Sequence, residues 1–468
     1  MLFTDTLFLF VFLPAVWAVY GVLVQAGWGR LVVWALGAAS IAFYAYDDIG
    51  HAGVMLCSIL ANYAAGRTLC TTRFRGRKTL LVGAIALNLG LLGYFKYAAF
   101  LVGAAGSATG SAWSLPALAL PLGISFYTFT QIAYIVDCYR ERDADLRFGS
   151  YLLFVTFFPH LVAGPIVYHR EMMPQFAAAE RRGVVWSDIE TGLFLLMIGL
   201  MKKVLLADVC AEWVDPGYKA AARLGAADAW MLSLGYSLQL YFDFSAYSDM
   251  AIGIGLLFGI RLPFNFDSPY RATTVREFWR RWHMTLSRFL ARYVYVPLGG
   301  SRRGPAATLR NLMLTFLLGG IWHGAGWGFV VWGLLHGAGC CFDRIFPSLV
   351  RVTPRPLAIL ATFLFVNAAW VFFRAPDFQT AFAVLGAMAG FAPSDAPVSV
   401  FAQDWVPITG MIAIGLALCW FAPNSQNLAF GLVRIGPTAK AACCGGALAL
   451  FLLAIRDAPR SPFLYFNF

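Results

Sequence analysis

The chain reads FWRRWHMTLSRFLARYVYVPLGGSRRG from Phe278 to Gly304 and, past an apolar run, GGIWHGAGWGFVVWGLLHG from Gly319 to Gly337. Three of the six histidines (His283, His323 and His336) fall here, with clustered arginines and tryptophans and glycines that interrupt the apolar run. Elsewhere charge is scarce: 13% of the 468 residues are charged, 60% are hydrophobic, and mean hydropathy is +0.69. A soluble globule cannot hide that much apolar surface, so lipid must solvate much of it. The expected fold is all-α and polytopic, with about 9–12 transmembrane helices set by a span of ~20 apolar residues. We read it as one domain over 1–468 with its motif core at 242–337.

Outward from that core, apolar runs predict spans near 7–26, 31–46, 52–69, 79–102, 116–136, 190–209, 229–246, 248–260, 311–342, 356–373, 406–421 and 441–456. Segments 151–168 and 380–391 fit re-entrant or interfacial elements. Basic loops face the cytoplasm. Arg30 follows the first span, RFRGRK (Arg73–Lys78) the third, and CYRERDADLRF (Cys138–Phe148) falls on the same side, so the N-terminus is expected outside. The first 29 residues carry no Lys or Arg, so the initial apolar stretch reads as a retained helix rather than a cleaved signal.

The formal net charge of +11 is concentrated: Arg261 to Arg310 holds ten basic residues and only Asp267 and Glu277 as acids. Between apolar spans this is better explained by membrane topology than by nucleic acid. Nine cysteines form no paired CxxC, so neither a zinc site nor a disulfide framework is indicated, and no metal ligand set is expected.

At about 100° per residue, Phe278, Trp279, Trp282, Leu286, Phe289, Leu290 and Tyr293 share one face, with Arg280, Arg281, Arg288 and Arg292 opposite. That predicts one amphipathic helix lying in the interface, started by turn or cap residues among Asp267, Ser268, Thr273 and Thr274. His283 sits at the rim of the apolar arc, where packing would account for it as well as chemistry would. His323 ends an apolar run beside Gly324, Gly326 and Gly328, which would let a substrate or another backbone come close. An ionisable residue there is costly, and a neutral imidazole can accept a hydroxyl proton. His336 follows Trp332 by four residues and suits a structural hydrogen bond. Asp243 and Tyr247 can share a helix face; with Asp249 they could couple transport, orient a catalytic group, or pair with an arginine of the basic loop. Lys202 and Lys203 could simply snorkel. His160 and His169 flank Gly164-Pro165, and His51 beside Asp47 and Asp48 reads as solvated.

The wording of three long motifs goes further than these residues alone. FFPHLVAGPIVYHREMMPQF (Phe157–Phe176), FDFSAYSDMAIGIGLLFGIRLPFNFDSPYRATTVREFWRRWHMTLSRFLARYVYVPLGG (Phe242–Gly300) and RNLMLTFLLGGIWHGAGWGFVVWGLLHG (Arg310–Gly337) resemble the membrane-bound O-acyltransferase family. They are most similar to its branch that O-acetylates alginate and related polysaccharides. FLFVFLP (Phe8–Pro14) and the terminal FLYFNF (Phe463–Phe468) also resemble that branch.

The resemblance implies a helical ring around a central tunnel in a bacterial inner membrane. It implies transfer of acetyl groups from a cytoplasmic donor toward hydroxyls of an exported polysaccharide such as alginate. The family's signature histidine matches His323 and a second functional histidine matches His283. Acetyl-CoA or another acyl thioester would be the donor substrate, with no bound cofactor. A separate exported or membrane-anchored esterase-like acetyltransferase and the polysaccharide export machinery would be partners, the lipid bilayer its surroundings, and nucleic acid none. Arg280, Arg281 and Arg288 could attract an anionic donor, with Trp279, Trp282 and Trp322 as further candidate substrate contacts. His336, Asp243 and Tyr247 would support the site. Other acyl transfers remain open, such as D-alanine to teichoic acid or acetylation of peptidoglycan or cellulose. A proton-coupled transporter or flippase is the rival from a different class.

Overall fold

Apolar composition decides where helices can lie, and breaks in the backbone decide how many there are. The computed structural model describes every residue except 73, 112, 114, 117, 142–146, 180–182, 392–398, 433–435, 458–460 and 465–468. Arg73, residues 142–146 of the charged loop after Cys138 and the last four residues of the terminal motif therefore lie outside the described residues. Among the described residues there is no β-strand.

The first helices are α1 (Leu13–Gln25), entered through a π-helical turn at Phe8–Phe12, α2 (Gly29–Ala45), α3 (Ile49–Thr71) and α4 (Arg77–Thr109). Next come α5 (Ile124–Glu141), α6 (Phe148–Thr156), α7 (Phe158–Leu161), α8 (His169–Ala179), α9 (Trp186–Lys202), α10 (Asp208–Lys219) and α11 (Ala226–Leu257). The motif core supplies α12 (Val275–Arg281), α13 (Met284–Leu290), α14 (Pro305–His323) and α15 (Trp327–Ile345). The remainder is α16 (Pro347–Val352), α17 (Arg355–Arg374), α18 (Phe378–Met388), α19 (Trp405–Phe421), α20 (Ser425–Leu432) and α21 (Pro437–Asp457). Among the described residues, Phe8–Gln25, Ile49–Thr71, Arg77–Thr109 and Arg355–Arg374 are long and apolar enough to cross a membrane. Gly29–Ala45, Phe378–Met388, Trp405–Phe421 and Cys444–Leu453 are shorter apolar helices. This is a polytopic, all-α membrane protein.

Three sequence expectations need correction. The separate spans at 229–246 and 248–260 are one helix, α11, because Gly253 and Gly255 stay helical and serve close packing instead of breaking the chain. The single span at 311–342 is two helices, because the backbone is extended at Gly324 and Gly326. The run from Phe278 to Tyr293 is α12, α13 and a π-helical turn at Ala291–Tyr295, interrupted at His283. The segment 151–168, expected to be re-entrant or interfacial, is two short helices and irregular backbone buried throughout, the setting that non-helical backbone requires away from water and one compatible with a re-entrant element.

The helices form two compact units, residues 1–196 with 248–263 and residues 197–247 with 264–468. In the first, lipid offers no hydrogen-bond partner, so polar side chains satisfy one another between helices. Asn62 and Asn88 exchange hydrogen bonds of 3.1 and 2.6 Å, Gln131 donates to Ser58 at 3.0 Å, and Tyr151 donates to Gln131 at 3.3 Å. His169 Nδ1 lies 3.7 Å from the Asp137 carboxylate, both buried. His51 sits in the first turn of α3, where its N–H is capped by Asp48 at 2.8 Å. The second unit holds His283, His323 and His336.

Candidate active site

A loop residue organises the His283 end of the site. Asn265 Oδ1 accepts from the Thr285 N–H at 3.2 Å and the Thr285 hydroxyl at 2.9 Å, and lies 3.1 Å from His283 Nδ1. A backbone N–H can only donate, so the oxygen of the amide must face this cluster and His283 Nδ1 must carry the proton. The lone pair of the ring is thereby placed on Nε2. Asn265 also accepts the Met284 N–H on its main-chain oxygen at 3.0 Å, while Asp267 N–H donates to Arg281 O at 2.9 Å. These bonds clamp the α12–α13 junction and hold His283 at φ 42, ψ 52, a left-handed conformation that a side chain other than glycine seldom adopts. Strain retained at a fully buried histidine is characteristic of functional positions. Burial pushes the His283 pKa well below the usual imidazole value, so the ring is neutral.

Helix α12 is fixed at its start as well. Thr274 is its N-cap, accepting from Glu277 N–H at 3.0 Å, and Glu277 reaches back to the Thr273 N–H at 2.8 Å and hydroxyl at 2.7 Å. Arg281 is bound to Glu277 at 2.9 Å and to the Asp267 main-chain oxygen at 3.2 Å. Its guanidinium is committed to these partners, which leaves Arg280 and Arg288 as the exposed members of the arginine set. Trp282 is buried among Tyr241, Phe266, Tyr270, Phe278 and Trp370, and packs with them. Trp279 donates its indole N–H to His336 Nδ1 at 3.1 Å. An indole only donates, so His336 carries its proton on Nε2.

His323 is the last residue of α14 and is 3% exposed. Its ring meets Trp322 and Trp332 edge-on at 4.9 Å each and Phe373 at 5.3 Å. Trp322 in turn lies 6.3 Å from the His283 ring, so both histidines neighbour one indole. Trp332 likewise meets both His323 and His336, at 4.9 and 4.8 Å. The glycines explain how this aromatic set closes. A Cβ on Gly320 would sit 2.3 Å from Phe329 O, and one on Gly333 would sit 2.5 Å from Phe316 O. Backbone therefore meets backbone where α14 crosses α15. The space beside Gly324 is filled by the Phe329 ring, and Gly328 lies against Phe372 O. Close approach at these glycines serves helix packing.

Asp243 pairs with Lys203 at 2.7 Å, not with an arginine of the basic loop. Lys203 also pairs with Asp208 at 2.7 Å and is 1% exposed, so it does not snorkel. Lys202 donates to Ser425 at 2.6 Å and to Ser245 at 3.3 Å. Tyr247 packs edge-on against Phe463 at 4.7 Å. The sequence reading missed Asn265, Thr285, Lys203 as an ion-pair centre, and the wall formed by Trp332 and Phe373. Asn265, in the turn-rich PFNFDSP between Pro263 and Pro269, was the one with a visible signal.

Fold and site together define a helical membrane protein with histidines buried in aromatic surroundings. Residues 56–376 match the membrane-bound O-acyltransferase family, and the chain belongs to it. It is therefore an acyltransferase. It is 40% identical to a peptidoglycan O-acetyltransferase of Helicobacter pylori across 100% of this chain and 98% of that protein. A protein described as a probable alginate O-acetylase, from Azotobacter vinelandii, is 39% identical over 84% of this chain and 78% of its own length. A teichoic acid D-alanyltransferase of Streptococcus thermophilus is 29% identical over 47% of this chain and 55% of its own length.

Proposed function

We propose that this protein carries acetyl groups from a cytoplasmic thioester, acetyl-CoA being the simplest, through the bacterial inner membrane toward hydroxyls of a cell-envelope glycan. The carrying observation is that His283 and His323 both neighbour Trp322, with His323 at the end of α14 where the helix breaks. The near-complete match to a peptidoglycan O-acetyltransferase favours peptidoglycan as the destination. An alginate-type exopolysaccharide is the second reading, supported by a match over 84% of the chain.

In this scheme an acceptor hydroxyl attacks the thioester carbonyl, His323 takes the hydroxyl proton, and the departing thiolate is protonated to the thiol. His283 is neutral, with its lone pair on Nε2, and burial makes it a poor proton carrier; it holds a substrate hydrogen-bond donor in place. Arg280 and Arg288 attract the anionic donor. An esterase-like partner outside the membrane completes transfer to the sugar, and the N-terminus lies outside. A transporter reading is weakened because one of its two carboxylates, Asp243, is occupied by Lys203.

A positioned general base contributes on the order of 10²–10⁴ in rate. His323→Ala in proteoliposomes given labelled acetyl-CoA should lose acetyl transfer by that factor at unchanged membrane abundance. Full transfer by this variant would overturn the assignment, and solute accumulation without thioester turnover would favour transport.

A further inference from the structure

We propose that a groove between α15, α16 and α17 binds an anionic phospholipid of the surrounding bilayer. The inference is independent of which glycan is acetylated. The groove has a volume of about 720 Å³, within the range of roughly 300–1,000 Å³ typical of pockets that hold organic ligands. Its walls are apolar, including Ala338, Phe342, Leu349, Leu357, Ala361 and Phe365. The floor is closed where Gly339 meets Val275 and Phe365, at 2.9 and 3.1 Å from a Cβ placed there. Asp343 also borders it, but that carboxylate accepts the Arg276 N–H at 2.8 Å and is thereby turned into the start of α12.

Charge beside the groove selects the occupant. Arg344 lies in the last turn of α15, Arg351 on α16 and Arg355 begins α17, so all three fall where these helices join, close in sequence to the lining residues Asp343, Val350 and Thr353. All three are exposed and none makes an ion pair among the described residues. Around them the surface is apolar: Phe346 is 48% exposed, Leu349 51% and Val352 74%. Membrane topology alone accounts for basic residues at a helix end, but it does not require an apolar groove beneath them. An acyl chain fits the walls, and a phosphate fits the arginines. The nucleotide of a thioester donor would need polar contacts for its base and ribose, and these walls supply few.

The test uses the full-length protein in nanodiscs of phosphatidylcholine with and without phosphatidylglycerol, followed by detergent extraction and native mass spectrometry of retained lipid. Wild type should retain phosphatidylglycerol in preference to phosphatidylcholine. Arg351→Gln with Arg355→Gln should reduce that preference about tenfold, since each basic residue near a membrane surface contributes appreciably to anionic-lipid attraction. Ala361→Trp should fill the groove and abolish retention with every arginine in place. Equal retention of the two lipids by wild type overturns the proposal, as does undiminished preference in both variants. Displacement of retained phosphatidylglycerol by acetyl-CoA also overturns it, by assigning the groove to the donor. Should a variant fail to fold, the selectivity of wild type still decides.

Discussion

His283 shows how one residue is held against its own backbone preference. Its left-handed conformation costs on the order of 1–3 kcal/mol and persists because Asn265 binds His283, Met284 and Thr285 while the Asp267 N–H holds Arg281 on the other side. Asn265→Ala removes the acceptor for the Thr285 N–H and hydroxyl and for the His283 ring. Leaving such buried donors unsatisfied costs about 1–3 kcal/mol, and acetyl transfer should fall roughly ten- to a hundredfold as the imidazole loses its orientation. A transfer assay beside a thermal melt separates lost orientation from lost folding. The φ value at 283 makes a second prediction with an unusual sign. His283→Gly should be more stable than His283→Ala by about 1 kcal/mol, because only glycine occupies that region without a Cβ penalty. Comparative melts in detergent would show it; alanine proving the more stable would mean that the junction relaxes.

At the scale of elements, the site depends on how closely α14, α15 and α17 approach. Gly320 and Gly333 let the first two meet through backbone, which sets Trp332 against both His323 and His336. Gly320→Ala places a methyl group at 2.3 Å from a carbonyl oxygen, so the helices must separate. Overpacking of this kind costs typically about 1–3 kcal/mol, and activity should fall with the melting temperature. Gly326→Ala is the control: its φ of −171° is open to any residue, and the nearest contact for a Cβ is an ordinary 3.5 Å. That variant should retain its stability. If both variants melt alike, close packing at Gly320 is not what holds the pair. The amphipathic pattern of 278–293 was legible although the single helix was not. Side-chain periodicity survives a break of one residue, whereas the break itself comes from Asn265, which precedes the helix and meets His283 only in three dimensions.

Across the whole molecule, burial turns scattered charges into partners. Lys203 is enclosed with Asp208 and Asp243, and Ser461 near the end of the chain donates to Asp208 at 2.5 Å. Removing one member of a buried ion pair leaves its partner charged and unpaired, at a typical cost of about 3–5 kcal/mol. Lys203→Met should therefore lower the melting temperature sharply, and adding Asp243→Asn should recover part of the loss. A double variant no more stable than the single would indicate that Asp208 carries the interaction. Composition by itself determined that lipid is the solvent, because the apolar fraction exceeds what a water-facing globule can bury, and the motifs determined the family. Sequence also singled out Phe278–Gly337 as a concentration of histidines, arginines and tryptophans in a chain poor in charge, which made it the candidate centre. Only tertiary structure decided that Asn265 fixes the proton on His283 Nδ1, that Trp322 neighbours both His283 and His323, and that Lys203 claims Asp243. Each of those facts depends on residues far apart in sequence, and neither helical periodicity nor local turn chemistry carries information about which of them will meet.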